Sequence, residues 1–336
     1  MKIQKPNLFN YATSELSQDA FITWLIQWAN SDYLKTDKEI HNCASTFVKS
    51  LIGESQDYQI RNIEAGRQWN KIDIWAKVND DYFIVIEDKI GTKEHSGQLK
   101  RYAEIAKEHY KNTDIKVVLV YFKMEEQGKY SAIEEAGYYN FTREQMLSIL
   151  EPYISRIKNE QGNNILIDYY FHLKKLDEKI NSFKILPLDQ WNWYSWKGFF
   201  ASIQKEIGGQ WDYVPNASGG FLGFWWNWCY KNLDDKEFDF YLQLEYGKLV
   251  FKLSAYKPEF RKELRDYYRR SLYKIANELN IKVNQFGRIG QYMGVAKLND
   301  DYRIINKSGL IDMSATIENL RKMENLIKTV ELEINK

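Results

Sequence analysis

The sequence predicts two domains, an α/β core over residues 1–182 followed by an α+β domain over 183–336 built on an antiparallel sheet. Three observations carry this. Residues 68–102 read as two strands and a helix, and the apolar run IKVVLVYF at 115–122 adds another strand. At Lys184–Pro187 the composition shifts and tryptophan becomes dense, from Trp191 through Trp193, Trp196, Trp211, Trp225, Trp226 and Trp228. Beyond that point several short strands are interrupted by only a few long helical stretches. The 336 residues suffice for two domains, and a 44% hydrophobic, 15% aromatic composition rules out a disordered chain.

Residues 14–30 fit an amphipathic helix with Leu16, Ala20, Trp24, Leu25 and Trp28 as its apolar stripe. Glu15 and Asp19 stand four apart on a neighbouring face, and Glu15 suits the positive end of the helix dipole. A second helix is expected over 37–52, with Ile40, Ala44, Phe47, Val48 and Leu51 inward, and a first strand from Tyr58 to Ala65. Trp69, Lys71, Asp73 and Trp75 then alternate with Ile72, Ile74, Ala76 and Val78, the period of a strand. In the next strand, Tyr82–Lys89, Phe83, Val85, Glu87 and Lys89 share one side.

The register of this hairpin decides its chemistry. Asn79-Asp80-Asp81 forms a polar turn of odd length. Pairing Val78 with Tyr82 across it places Asp73 opposite Glu87, with Cβ atoms about 5 Å apart on one face. A two-residue loop would put the carboxylates on opposite faces. Lys89 shares the face of Glu87, and Asp88 points away. Two carboxylates and an ammonium among apolar strand residues suit a hard divalent cation, Mg²⁺ or Mn²⁺, with the lysine beside a water and a phosphate. A solvated salt-bridge triad is the competing reading.

Asp73 followed at a hairpin's distance by Glu87-Asp88-Lys89 resembles the D…(D/E)xK core of the PD-(D/E)XK nuclease superfamily. Gln98 and Tyr102, four apart on the next helix, resemble the QxxxY motif of its RecB-like exonuclease branch. The resemblance covers roughly residues 7–150, and Ile72 stands where the family's name has proline. It implies a restriction-endonuclease-like core, a mixed central sheet flanked by helices, and metal-dependent phosphodiester hydrolysis with Mg²⁺ or Mn²⁺. In that reading Asp73 and Glu87 hold the cation, helped by the Asp88 backbone carbonyl, and Lys89 orients the attacking water. Gln98 and Tyr102 position the phosphate backbone or the ligand shell. Glu15, in an ELS context on the first helix, matches a glutamate that reaches the metal site in such families. DNA is the implied substrate, with RNA left open, and a role in bacterial defence, restriction or repair would fit. The alternative is a non-catalytic nucleic-acid-binding or protein-interaction module that keeps the fold; the presence of both residue sets argues against decay.

The helix carrying Gln98 is expected over 93–110, and His95 before it is read as a surface residue. Residues 123–140 look like a long polar loop near the strand ends. Thr142 caps a helix to about Leu150, and another spans 163–181. In the second domain a helix is expected over 189–207, strands near 211–214, 221–231, 237–246 and 248–255, and a basic helix over 258–279. Strands near 281–286, 292–298 and 301–305 precede a closing helix at 312–334. The tryptophans suit a sheet core or, alternatively, stacking of unpaired bases. Arg261, Arg265 and Arg269 recur every four residues and are the candidate phosphate contacts, although Glu259, Glu263 and Asp266 interleave. The role of this domain stays open in the sequence, with substrate binding and homodimerisation as its two options.

A net charge of +1 is not the footprint of a strongly basic DNA-binding protein, so any nucleic-acid surface is local. Cys43 and Cys229 form neither a disulfide framework nor a metal-ligand spacing, which points to a reducing, cytoplasmic setting. No signal-peptide pattern or membrane-length apolar run occurs.

Overall fold

The computed structural model describes residues 7–91, 97–156, 164–216 and 219–334. They fall into two compact units, Met1–Glu126 with Tyr130–Glu178, and Gln127–Lys129 with Lys179–Lys336.

The first unit runs α1 (Glu15–Gln27), α2 (Lys38–Ile52), β1 (Ile63–Trp69), β2 (Ile72–Val78), β3 (Tyr82–Lys89), α3 (Gln98–Tyr110), β4 (Lys116–Lys123), α4 (Ser131–Glu135), β5 (Tyr139–Thr142), α5 (Arg143–Ile154) and α6 (Asn164–Asn181). Its sheet has the order β1-β2-β3-β4-β5. The first two pairings are antiparallel and the last two parallel, which makes the mixed sheet of a restriction-endonuclease-like fold. Strand alternation sorts the two faces. Ile74, Ala76, Val78, Ile84 and Ile86 pack with α1 and α2, while Phe83 and Val85 pack with Leu99, Tyr102, Ala103 and Ala106 of α3. Covered on both faces, β3 is buried along its whole length, so any charge on it needs a partner.

Four expectations are corrected here. Trp69 belongs to β1, not β2, because Asn70 and Lys71 both take left-handed φ, 50° and 71°, and reverse the chain between Trp69 and its partner Ile72. Such a two-residue turn favours asparagine. The segment before β1 is not a strand: the Asn79 side chain accepts from Arg61 N (2.9 Å) and Asn62 N (3.2 Å) and donates to Tyr58 Oη (2.8 Å), replacing ladder bonds. Helix α1 turns Leu16 outward and buries Gln18, Asp19, Phe21, Ile22, Leu25 and Ile26. The stretch 123–140 is not an open loop; Ile133, Ala136 and Tyr138 seat α4 and the start of β5 against the α3 face. His95 and the expected start of its helix lie outside the described residues; α3 is described from Gln98, after Gly97 in the left-handed region.

The second unit contains α7 (Trp193–Ile207), β6 (Gln210–Val214), β7 (Phe221–Leu233), β8 (Lys236–Glu245), β9 (Lys248–Ala255), α8 (Arg261–Glu278), β10 (Val283–Gln285), β11 (Tyr292–Leu298) and α9 (Met313–Ile334). Its sheet, in the order β10-β11-β9-β8-β7-β6, is antiparallel throughout. Alternate residues such as Phe224, Trp226, Phe238, Phe240 and Phe251 meet Phe199, Tyr268, Leu320 and Leu326 of the helices. Trp191, Trp196, Trp211 and Trp226 are core residues, whereas Trp193 and Trp228 are exposed. Residues 301–305 form no strand; Ile305 makes only an isolated bridge to Ile311.

One member of the arginine row is also corrected. Arg265 is turned inward, 7% exposed, and donates to the carbonyls of Gly294 (3.3 Å), Phe286 (2.9 Å) and Gly287 (2.8 Å). It ties α8 to the β10–β11 connection and is not a phosphate contact. Arg261 Nε donates to the Ala255 carbonyl (3.3 Å), and Arg269 pairs with Asp266 (2.7 Å). Arg265→Ala removes three hydrogen bonds, one of them to exposed Gly287, and should cost about 1–3 kcal/mol. Urea unfolding measures this, and an unchanged midpoint would contradict the assigned role. Among the described residues no helix is long and apolar enough to cross a membrane.

Candidate active site

The site forms where β2 begins and β3 ends. Register Val78↔Tyr82 through Ile74↔Ile86 runs on to set Asp73 across from Glu87, as the odd loop requires. Asp73 Oδ2 accepts from the Asp88 backbone N–H (3.3 Å). Lys89 Nζ stands 2.7 Å from Glu87 Oε1, 3.7 Å from Asp73 Oδ2 and 3.8 Å from Glu15 Oε2, and donates to the Asp88 carbonyl (2.9 Å). Glu15 comes from the first turn of α1, where Ser14 caps the helix, and its Oε1 accepts from Ile90 N (3.3 Å). Gln98, at the start of α3, donates through Nε2 to Glu87 Oε1 (2.8 Å) and to Tyr102 Oη (3.2 Å). Asp73, Glu87, Lys89, Glu15, Gln98 and Tyr102 therefore converge. The Asp88 side chain leaves the group on the opposite face of the strand, as alternation dictates.

Sequence reasoning missed what lies behind that strand. Asp88 is 0% exposed, and Gln18 Nε2 donates to its Oδ1 (2.6 Å). Asp19, 2% exposed, stands beside it. The signal was present: Phe21, Ile22, Leu25 and Ile26 define the buried face of α1, and one turn back that face carries Gln18 and Asp19. Tyr138 was also missed. It is 3% exposed, and burial followed by the charge of Glu87 pushes its hydroxyl up.

Electrostatics set this cluster apart from a solvated salt bridge. Burial, then the Asp73 charge, raise Glu87 to about 8, against a partial offset from Lys89. Burial opposes the Lys89 ammonium, but Glu87, Asp73 and Glu15 outweigh it and hold the group above its ordinary value. Asp88 is raised well above the usual carboxylate range by burial and by Asp19, and burial with Asp73 raises Asp19 to about 6. The cluster thus keeps protons that free carboxyls would lose at neutral pH.

Glu87 titrates higher folded than unfolded, so its contribution is complete below its unfolded value, near 4.5, and is lost as pH rises through about 8. Metal-free protein should lose on the order of a few kcal/mol across that window. Glu87→Gln should flatten the slope; urea unfolding at several pH values reads it, and an equally steep slope in the variant would refute the assignment.

A divalent cation fits these residues. Glu87 Oε2 is buried without a hydrogen-bond partner among the described residues, and Asp73 supplies a second hard oxygen across the strand pair. No set of three or more His, Cys, Asp or Glu side chains closes into a metal cluster among the described residues. Any further positions on such an ion would be left to carbonyl, water and substrate oxygens, a set that a hard divalent cation accepts.

The family model of the PD-(D/E)XK nuclease superfamily matches residues 6–171. No curated protein matches the chain. No solved structure matches it either.

Proposed function

Residues 6–171 belong to the PD-(D/E)XK nuclease superfamily, and from that premise we propose that the chain is a metal-dependent nuclease hydrolysing phosphodiester bonds in DNA. The observation that carries the reading is the Lys89 ammonium held against the buried Glu87 carboxyl, with Asp73 and Glu15 around it. A bound Mg²⁺ or Mn²⁺ supplies Lewis acidity and lowers the pKa of an attacking water. Asp73 and Glu87 would hold that ion, with the Asp88 carbonyl beside them. Lys89, kept protonated by its neighbours, cannot take a proton from water. It donates to the water oxygen and to the charge that develops on the phosphate. Gln98 fixes Glu87 Oε1 and is itself fixed by Tyr102, so α3 sets the angle of the carboxylate. The pair suits a RecB-like QxxxY arrangement, and DNA is the substrate that resemblance favours.

The test incubates the protein with linear, circular and single-stranded DNA and with RNA, in Mg²⁺, Mn²⁺ or EDTA. Cleavage of DNA with either ion and none in EDTA is expected. Cleavage of RNA alone would move the substrate class. Cleavage of nothing under any condition would favour a binding module that keeps the fold.

A further inference from the structure

The buried face of β3's end, behind the proposed active site, carries a polar network that the chemistry above does not use. Asp88 sits between Glu87 and Lys89 in sequence and points the other way, fully buried against α1. Gln18 donates to its Oδ1 at 2.6 Å. Tyr169 of α6 donates to Gln18 Oε1 at 3.3 Å. A carbonyl oxygen can only accept, so this contact turns the amide nitrogen toward Asp88. One turn earlier on the same helix face, Glu15 accepts from Ile90 N. Helix α1 therefore grips the strand at two points, Asp88 and Ile90, on either side of Lys89.

We propose that Gln18 and Asp88 are positioning residues: their hydrogen bond, aimed by Tyr169, fixes the end of β3 so that Lys89 stands among Glu87, Asp73 and Glu15. The assignment rests on the nuclease reading for its consequence, not for its geometry. Asp19 stands beside Asp88, and Asp88 Oδ2 has no hydrogen-bond partner among the described residues. The bond from Gln18 is therefore what satisfies Oδ1, and a shifted strand would leave that oxygen unpaired as well. Side chains on opposite faces of a strand share one backbone, so a shift at Asp88 moves Glu87 and Lys89 together.

The test uses the full-length protein with Gln18→Leu, Asp88→Leu and Asp88→Asn. Leucine fills the space of glutamine without donating, whereas asparagine keeps an acceptor for Gln18. Hydrogen exchange across residues 86–90 reads strand position without metal or substrate. Gln18→Leu should exchange at least tenfold faster there, with β2 and β4 unchanged. Single-turnover cleavage per folded molecule should fall about tenfold or more, and Asp88→Asn should recover most of the rate lost in Asp88→Leu. Wild-type protection at 86–90 in Gln18→Leu would overturn the proposal, as would failure of Asp88→Asn to exceed Asp88→Leu in protection. If the wild type cleaves nothing while Gln18→Leu still loses protection, the nuclease reading fails and the positioning role stands. Should Asp88→Leu not fold, the Gln18 variant decides.

Discussion

Lys89→Met lowers single-turnover cleavage by about a hundredfold or more while leaving substrate affinity in Ca²⁺ nearly unchanged. Methionine keeps most of the stem and removes only the ammonium, so the strand end stays filled. The ammonium lies 2.7 Å from Glu87 and within 4 Å of Asp73 and Glu15, and its partners hold it charged. In the proposed reaction that charge faces an attacking water and a phosphate gaining negative charge, an interaction stronger in the transition state than in the ground state. The loss therefore falls on the rate, not on binding. Cleavage at the wild-type rate would remove the nuclease assignment at its centre. A loss confined to affinity would make Lys89 a phosphate contact and nothing more.

Asp73→Asn abolishes both cleavage and the stabilisation conferred by Mg²⁺ or Mn²⁺. The amide still accepts from the Asp88 N–H, which Asp73 Oδ2 does at 3.3 Å, so the hairpin survives. It removes one of the two carboxylates proposed to hold the ion, and an ion that binds only folded protein stabilises in proportion to occupancy, about 2.7 kcal/mol at a hundredfold excess over Kd. Wild-type protein should show a higher thermal midpoint with millimolar cation, and the variant none. Removing the Asp73 charge also relieves one cause of the raised Glu87 pKa, so without metal the variant should lose less stability on going from pH 5 to 8. Equal cation-induced shifts in the two proteins would place the ion elsewhere.

Much of the candidate site's geometry was legible because it is local. Asp73, Glu87 and Lys89 lie on adjacent strands of one hairpin, and a three-residue turn is enough to set their register. Gln98 and Tyr102 are one helical turn apart and share a face by geometry alone. The arginine row failed at Arg265 for the converse reason. Spacing every four residues shows that side chains share a helix face, not whether that face is inward; the backbone carbonyls of Phe286, Gly287 and Gly294 decided that for Arg265. The Asn70–Lys71 reversal was missed because alternation continues through it, and only left-handed φ separates two strands from one.

By itself the sequence determined the two domains' classes, the hairpin register and the residues facing one another across it, since period-two alternation and turn length are properties of short segments. The tertiary structure decided which distant side chains reach that hairpin. Gln18, Asp19 and Tyr169 enter from α1 and α6, and Gln98 enters from α3. It also decided which charges are buried deeply enough to hold protons. Burial is a sum over everything packed around a group, and desolvation, the largest cause of the raised Glu87 and Asp88 values, has no counterpart along the chain.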